Sequence, residues 1–305
     1  MQDKLKEIMK EPTLVLRFIL YNFFTWLPDT TYVKIEFFIR TRKRLNLKNP
    51  QTFNEKLQWL KLYDRNPLYT QLADKYEVRK YIADTIGEQY LVPLLGAWDR
   101  FEDIDFDALP NQFVLKCNHD SGSVFICKDK SRFDIRKVGK TISKRLKHDF
   151  YLHKREWQYK GIIPRIIAEE YLEDESGALM DYKVLCFNGV GKVITVNFDI
   201  LTNRARNAYT PKWKFINVCN NYPNNKERSL NKPEMLEEML HISNKIAALI
   251  GSAFVRVDFY YVYGRLYVGE LTFTPASGMG RITPNTYNEL WGSWIELKHA
   301  ESLDL

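Results

Sequence analysis

Cysteine, histidine and glycine are sparse in this chain, and their spacing removes several chemistries. Four cysteines, Cys117, Cys127, Cys186 and Cys219, show no CxxC spacing. Three of them lie in strand-like apolar runs, so reduced, buried thiols of a cytoplasmic protein are expected rather than disulfides or a zinc site. The five histidines are scattered without an HxxxH pair, which further weakens zinc. No GxxxxGK[ST] motif is present, so the chain carries no P-loop signature. Low-complexity tracts and internal repeats are also missing, and neither disorder nor a fibrous array is indicated.

Long hydrophobic runs are missing too. Residues 13–28 (TLVLRFILYNFFTWLP) are too short for a membrane span and contain Arg17. The preceding residues mix both charge signs and lead to no small-residue cleavage site, so a signal peptide fits poorly. A core helix is the expected form of this segment, with an interfacial membrane anchor as the alternative.

What is present suits a globular protein of enzyme size. The chain has 305 residues, of which 45% are hydrophobic and 27% charged, enough for two or three lobes around sizeable cores. Its formal net charge of +7 points to an acidic partner, and nucleotide, anionic polysaccharide and anionic membrane surface all qualify. The basic run at residues 40–48 (RTRKRLNLK) suits phosphates or lipid headgroups, or is a solvated helix face.

Two β-rich runs near the C-terminus, residues 254–261 and 265–271, flank a tight Tyr263-Gly264 connection and read as a hairpin. Each carries one carboxylate in apolar company, Asp258 and Glu270. Across a short turn such residues lie opposite or diagonal on one face. Two desolvated carboxylates repel unless a cation lies between them, so a divalent metal is one resolution. Pairing with Arg256 and Arg265, or plain solvation, is the other.

Upstream, Thr52 and Glu55 form a capping box ahead of a helix to about Tyr63, and Pro67 starts a second helical piece. Asp74 opens an amphipathic helix ending near Gly87, and a strand-like LVPLLGAW follows. Residues 113–116 (FVLK) read as a buried strand leading into NHDSGSVFICK. A strand-end lysine beside a Ser/Gly turn cradles phosphate oxygens, or the turn is an ordinary hairpin with Lys116 reaching solvent. Residues 129–160 are basic and helix-biased, expected as a surface helix. The apolar run IIPRIIAEEYL closes on Glu169 and Glu170, and two strands meet at Asn188-Gly189, so Glu169, Glu170 and Asp181 are expected at strand edges near one another. Residues 202–232 read as a loop. A helix over residues 233–250 and a last one over 286–297 complete the chain.

In this order the segments TFNEKLQWLKLYDRNPL, LADKYEVRKYI, FVLKCNHDSGS, AEEYL, MDYKVLCFNG and VRVDFYYVYGRLYVGELTFTPASGM resemble the TupA-like proteins of the ATP-grasp superfamily, over roughly residues 35–297. That resemblance implies an α+β ATP-grasp fold, in which two α/β lobes with antiparallel sheets grip ATP behind a helical N-terminal extension. The expected division is an extension over residues 1–50, a lobe over 51–112 preceding the ATP site, a small lobe over 113–175, and a C-terminal lobe over 176–305 carrying the metal.

It also implies roles. Lys75 matches the lysine before the nucleotide site, on the phosphate or adenine side. Lys116 matches the strand lysine on the α- and β-phosphates, and Asp120, Ser121, Gly122 and Ser123 match the loop closing over them. Glu169, Glu170, Tyr171 and Leu172 match the hinge that receives adenine, with the choice between the two glutamates open. Asp181 falls at the ribose-binding acid, and Asp258 and Glu270 at the carboxylates for one or two Mg2+ ions. Arg256 matches an arginine facing the transferring phosphate, so Arg256 and Lys116 are the catalytic candidates. One departure concerns the third metal ligand, where Thr272 replaces an expected asparagine. A threonine hydroxyl is the poorer ligand, and Thr274 or water is the alternative donor.

The activity implied is ATP-dependent ligation of a carboxylate to an amine, with a uronic-acid carbohydrate of a bacterial capsule pathway as acceptor. Peripheral contact with the inner membrane surface fits that setting, and no nucleic acid is expected. A capsular glycosyltransferase is the rival reading, but no DxD motif is convincing: Asp103-Ile104-Asp105 sits in an acidic loop with no flanking strand.

Overall fold

The computed structural model of the protein describes residues 12–173, 179–198, 205–228 and 230–297. The helix-compatible start at residues 1–10 and the turn at 174–177 lie outside them. Two antiparallel sheets organise the described chain. The first has four strands in the order β1-β4-β2-β3, from β1 (Leu94–Trp98), β2 (Phe113–Cys117), β3 (Val124–Cys127) and β4 (Ile166–Glu170). β1, from the segment 51–112, is thus hydrogen-bonded into the sheet of the segment 113–175.

The second sheet runs β11-β10-β5-β6-β7-β8. Its strands are β5 (Asp181–Phe187), β6 (Val190–Phe198), β7 (Ala205–Tyr209), β8 (Phe215–Ile216), β10 (Phe254–Val262) and β11 (Arg265–Thr272). A short pair joins β9 (Cys219–Asn220) to β12 (Ile282–Thr283). The segment expected as a loop over 202–232 therefore contributes β7, β8 and β9. Arg206 and Asn207 weaken the strand pattern of ARNAY, and pairing with β6 overrides it.

Turn chemistry fixes both hairpins. Asn188-Gly189 and Tyr263-Gly264 each hold two consecutive residues at positive φ, 45° and 85° in the first and 47° and 76° in the second, which a type I′ turn requires.

The second sheet buries one face against α8 (Leu236–Ile250), whose Met239, Ile242 and Ile246 recur at helical spacing and meet Val184, Val257 and Phe259. Its other face changes character along the strands. At one end Leu185, Phe187 and Phe254 pack on α3 (Phe53–Tyr63) and α9 (Asn285–Ser293). Phe53 lies 5.1 Å from Phe254 and 5.7 Å from Trp291, edge to face. At the other end the same face is polar, with Asp181, Lys183, Thr195, Asn197, Arg256 and Asp258. The capping box is formed as expected: Thr52 Oγ1 accepts from the Glu55 N–H, and Glu55 accepts from the Thr52 N–H at 3.0 Å.

The N-terminal segment corrects the core-helix expectation. α1 (Pro12–Phe23) buries Leu20 against α2 (Asp29–Thr41), while Leu14, Leu16, Phe18 and Phe23 remain exposed. The apolar stripe of α1 is wider than the surface α2 offers. Among the described residues no helix is long and apolar enough to cross a membrane. The basic segment 129–160 divides into α6 (Ile135–Leu146) and α7 (Phe150–Lys154), and its end is not a surface. Arg155 is buried, stacks 4.4 Å over Tyr32 and donates to the carbonyls of Thr25 and Leu27. The four cysteines are free thiols, and burial pushes that of Cys117 up to about 11, leaving it inert.

α9 meets α3 so closely that a Cβ on Gly292 would lie 2.2 Å from the Gln51 carbonyl oxygen and 2.6 Å from the Phe53 nitrogen. In an open helix Gly→Ala stabilises by about 1 kcal/mol. Here Gly292→Ala is expected to lower the melting temperature by several degrees, because the backbone must shift; a raised melting temperature would contradict this packing.

Candidate active site

The first sheet presents its polar face through strand alternation. Phe113, Leu115 and Cys117 of β2 enter the core beneath it, and Lys116 points the other way. On β4, Ile167 stands opposite Lys116 and Glu169 opposite Val114, so Glu169 is the diagonal neighbour of Lys116. The Lys116 ammonium donates to Glu169 Oε2 at 2.5 Å. Arg79, on α5 (Val78–Ile86), sits one residue into its helix. It donates to Glu169 Oε1 at 3.1 Å and to the Val92 carbonyl at 2.8 Å. The two glutamates separate on geometry: Glu169 is buried between two cations, whereas Glu170 is exposed and its N–H donates to the Pro93 carbonyl at 3.0 Å. Tyr171 donates to Glu173 at 2.8 Å under the Lys128 ammonium. Leu172 packs with Val92, Val262 and Tyr267, joining the end of β4 to the hairpin of the second sheet.

The loop between β2 and β3 is held from below. Asn118 donates to both Asp74 oxygens at 2.9 Å and accepts from the Arg165 N–H at 2.6 Å. The Lys75 ammonium donates to the Asp120 carbonyl, so Lys75 grips the loop backbone. The Asp120 carboxylate turns inward, accepting from Ser123 with Arg145 at 3.7 Å. Ser121 and Gly122 form the exposed tip. Gly122 has φ +96° with open space around its Cβ position, so conformation rather than room selects glycine there.

On the second sheet the pairing register builds an ionic stripe. Asp258 stands opposite Glu270 on β11 and Lys183 on β5, and Arg256 opposite Thr272. A bulge at Gly269 lets the strand continue past this point, where the Tyr260 ring occupies the space a Cβ would need. Arg256 binds Asp258 through Nε at 2.5 Å and Nη2 at 2.6 Å, and reaches Thr272 Oγ1 at 3.0 Å and Glu270 at 3.9 Å. Lys183 bridges Asp258 and Asp181, the latter at 2.7 Å. Asn197 donates to Asp181 at 3.0 Å and accepts from Arg206 Nε at 2.6 Å. Burial alone would raise the Asp258 carboxyl, but Arg256 and then Lys183 hold it below the usual carboxylate range.

Tyr260 links the two sheets electrostatically. Burial first, then the carboxylates of Asp181, Asp258, Glu270 and Glu169, raise its hydroxyl far above the ordinary tyrosine range. Tyr260 also packs in the cluster of Val92, Val262 and Tyr267 that Leu172 joins from the end of β4. A cavity of about 250 Å³ adjoins the stripe and brings Ser121 of the loop to the same space as Arg256, Glu270 and Thr272.

The donor set suits magnesium that arrives with phosphates. It offers two carboxylates and a hydroxyl, and Mg2+ is usually held by one or two carboxylates plus substrate oxygens. Among the described residues no cluster of three or more metal-ligating side chains stands ready. Three carboxylates, Asp181, Asp258 and Glu270, face two cations, Lys183 and Arg256, a net charge of −1 that cannot by itself offset a divalent ion. Thr272 Oγ1 accepts from Arg256, and the Thr274 hydroxyl donates to Glu156 and accepts from Gln158 at 2.7 Å.

Sequence reasoning missed Lys183, Arg79, Asn197 and Tyr260. A signal for Lys183 was present: it lies two positions after Asp181 inside an apolar strand, so both face the same way. Arg79, on an amphipathic helix, carried none. The DxD-like stretch of the rival reading forms a turn in which Asp105 accepts from the N–H groups of Asp107 and Ala108.

Two antiparallel sheets, each carrying a cation–carboxylate cluster on its polar face, define an α+β protein of the ATP-grasp class. The model of the family described as TupA-like ATPgrasp matches residues 55–296, and the chain belongs to that family. Among solved structures it is similar to D-alanine–D-alanine ligase from Bacillus anthracis complexed with ATP, at 19% identity and a TM-score of 0.39, covering 66% of this chain and 53% of that one. It is also similar to L-amino acid ligase from Bacillus licheniformis, at 13% identity and a TM-score of 0.45, covering 74% and 49%. An ADP complex of N5-carboxyaminoimidazole ribonucleotide synthetase gives 13% identity and a TM-score of 0.42, covering 72% and 50%. The chain spans about half the length of these structures. No curated protein matches it.

Removing Lys183 leaves buried Asp258 and half-buried Asp181 with one cation fewer. Lys183→Met is expected to cost about 3 kcal/mol, and the double variant with Asp258→Asn less than the sum of the two singles. Because the Asp258 pKa is depressed in the folded state, its stabilisation is full above the unfolded carboxyl pKa and is lost as pH falls through the lower folded value. Urea unfolding of wild type and Asp258→Asn between about pH 2 and 6 checks the sign: their difference should shrink toward the acid end, and a difference that grows there would contradict the pairing.

Proposed function

We propose that the protein is an ATP- and Mg2+-dependent carboxylate–amine ligase. Membership of the ATP-grasp family supports the reaction class, and the observation that carries it on this chain is the pair of cation–carboxylate clusters, Lys116–Glu169 on one sheet and Arg256–Asp258–Glu270 on the other, with Ser121 of the loop after Lys116 lining the cavity beside Arg256 and Glu270. In this reading Glu169 and the backbone of residues 170–172 face adenine, and Asp181 lies on the ribose side. Lys116 and the tip of the loop at residues 120–123 face the phosphates, with Lys75 fixing the loop from beneath. Asp258, Glu270 and Thr272 would hold magnesium, which would supply neutralisation of the phosphate charge.

No protein nucleophile is needed. A carboxylate oxygen of the acceptor attacks the γ-phosphorus, the bond to the β-phosphate oxygen breaks, and ADP leaves with the electron pair. The amine nitrogen then attacks the acyl carbon of the acylphosphate, the C–O bond to phosphate breaks, and the nitrogen's proton passes to released phosphate or water. Arg256 and Lys116 stabilise the charge that develops on the transferring group. The positions of Arg256 beside Glu270 and of Ser121 across the same cavity support this placement.

The finer reading assigns a uronic-acid carbohydrate of the bacterial cell surface as acceptor and an amino acid or amino sugar as amine, with work at the inner membrane surface. The net charge of +7 supports an anionic acceptor. The exposed Leu14, Phe18, Phe23 and Trp26, together with the basic Arg42, Lys43 and Arg44 after the next helix, support contact with anionic lipid.

Purified protein with ATP, Mg2+ and a panel of uronic acids and amines is expected to release ADP and phosphate only when acid and amine are both present. Asp258→Asn and Glu270→Gln should each lower that rate at least about a hundredfold with folding retained. Consumption of a nucleotide sugar with ADP release at background would overturn ligation. Sedimentation of the same protein with phosphatidylglycerol vesicles is expected to carry it into the pellet, and protein left in the supernatant would refute membrane contact.

A further inference from the structure

The cavity beside the ionic stripe has a second wall that the ligase reading does not use. It is made by Arg17 of α1, Arg40 of α2 and Lys154 of α7. Arg17 and Arg40 precede the 55–296 match, so this wall comes partly from outside the part of the chain that defines the family. Tyr21 gathers the group: its hydroxyl donates to Glu36 Oε1 at 2.5 Å while accepting from Arg17 Nη2 at 3.2 Å and Lys154 Nζ at 3.1 Å. Arg40 approaches the same Glu36 at 3.8 Å.

These cations outnumber their partners. Arg17, Arg40, Lys154 and the buried Lys61 make four positive charges, against Glu36 and Glu156. Glu156 is bound by Thr274 and Gln158, and burial raises its pKa. Burial, and then repulsion from Arg17 and Arg40, oppose Glu36 in lowering the Lys154 ammonium. A formal excess of two positive charges thus lies in and behind one wall of a cavity whose other wall is Arg256, Glu270 and Thr272. Such an excess is stabilised by an anion. Arg40 also lines a larger neighbouring cavity of about 520 Å³ with Lys43, Arg44 and Arg281, so a ligand bound at Arg40 has room to continue along a basic surface.

Building on the ligase reading above, we propose that this cavity is the acceptor site and that Arg17, Arg40 and Lys154 bind a second anionic group of the acceptor, carboxylate or phosphate, while its reacting carboxylate lies by Arg256. The protein then selects acids carrying two negative charges, and the N-terminal helices set that preference. The volume of about 250 Å³ admits one small sugar acid or the terminal unit of a longer chain.

Titration calorimetry in the presence of Mg2+ and ADP tests this with three probes: glucuronic acid, glucaric acid with two carboxylates, and glucuronic acid 1-phosphate. Wild type is expected to bind at least one doubly charged probe about tenfold tighter than glucuronic acid, and which one identifies the second group. Arg17→Gln and Arg40→Gln should each reduce that preference to about twofold or less with ADP affinity unchanged, and Arg40→Lys should restore part of it. Arg17→Gln touches only the Tyr21 hydroxyl and ring, so it remains informative if Arg40→Gln unfolds. A preference that survives both substitutions, or wild type binding none of the acids, would overturn the acceptor clamp. Wild type failing to bind ADP while still discriminating among the acids would instead overturn the nucleotide reading and leave the anion site standing.

Discussion

The buried ion cluster of Arg256, Asp258 and Lys183 is the constraint on which the rest of the site depends. A carboxylate in this position is unstable alone, and two cations on neighbouring strand positions make it ionised and fixed. Those partners exist only because β10 lies between β5 and β11 in one register, and a one-residue slip would send every member to the apolar face against α8. The register is in turn pinned by the two type I′ turns and by the phenylalanine cluster at the far end of the same strands. Packing at one end of the sheet thereby sets the electrostatics at the other.

A second consequence concerns how charge is distributed. The stripe is close to balanced, whereas the N-terminal helices bring an unbalanced cationic wall to the same cavity. Balanced groups are preorganised and orient; unbalanced ones attract. The division suits a site in which one wall positions reacting atoms and the other chooses which acid enters.

Much of this was legible in the sequence because it rests on local rules. Period-two alternation put Asp258 and Glu270 on one face, Asn188-Gly189 and Tyr263-Gly264 announced the turns, and Thr52-x-x-Glu55 announced the start of α3. Residues whose roles depend on non-local contacts were not legible. Arg79 reaches Glu169 from a helix ninety positions away, and Arg17 meets Lys154 through Tyr21, which Arg40 joins only by way of Glu36, contacts that no spacing reveals. The strands β7 to β9 were hidden for a related reason, since their pairing with β6 outweighs the weak strand preference of their own residues.

The central claim is that both sheets hold one nucleotide with its magnesium. It is tested most directly by titrating a non-hydrolysable ATP analogue into wild type, Lys116→Met and Glu270→Gln, each with and without Mg2+. The account predicts that magnesium tightens binding to wild type by about tenfold or more, that Lys116→Met weakens binding under both conditions, and that Glu270→Gln abolishes most of the magnesium effect. Binding that is unchanged by either substitution, or a magnesium effect that survives Glu270→Gln intact, would contradict it.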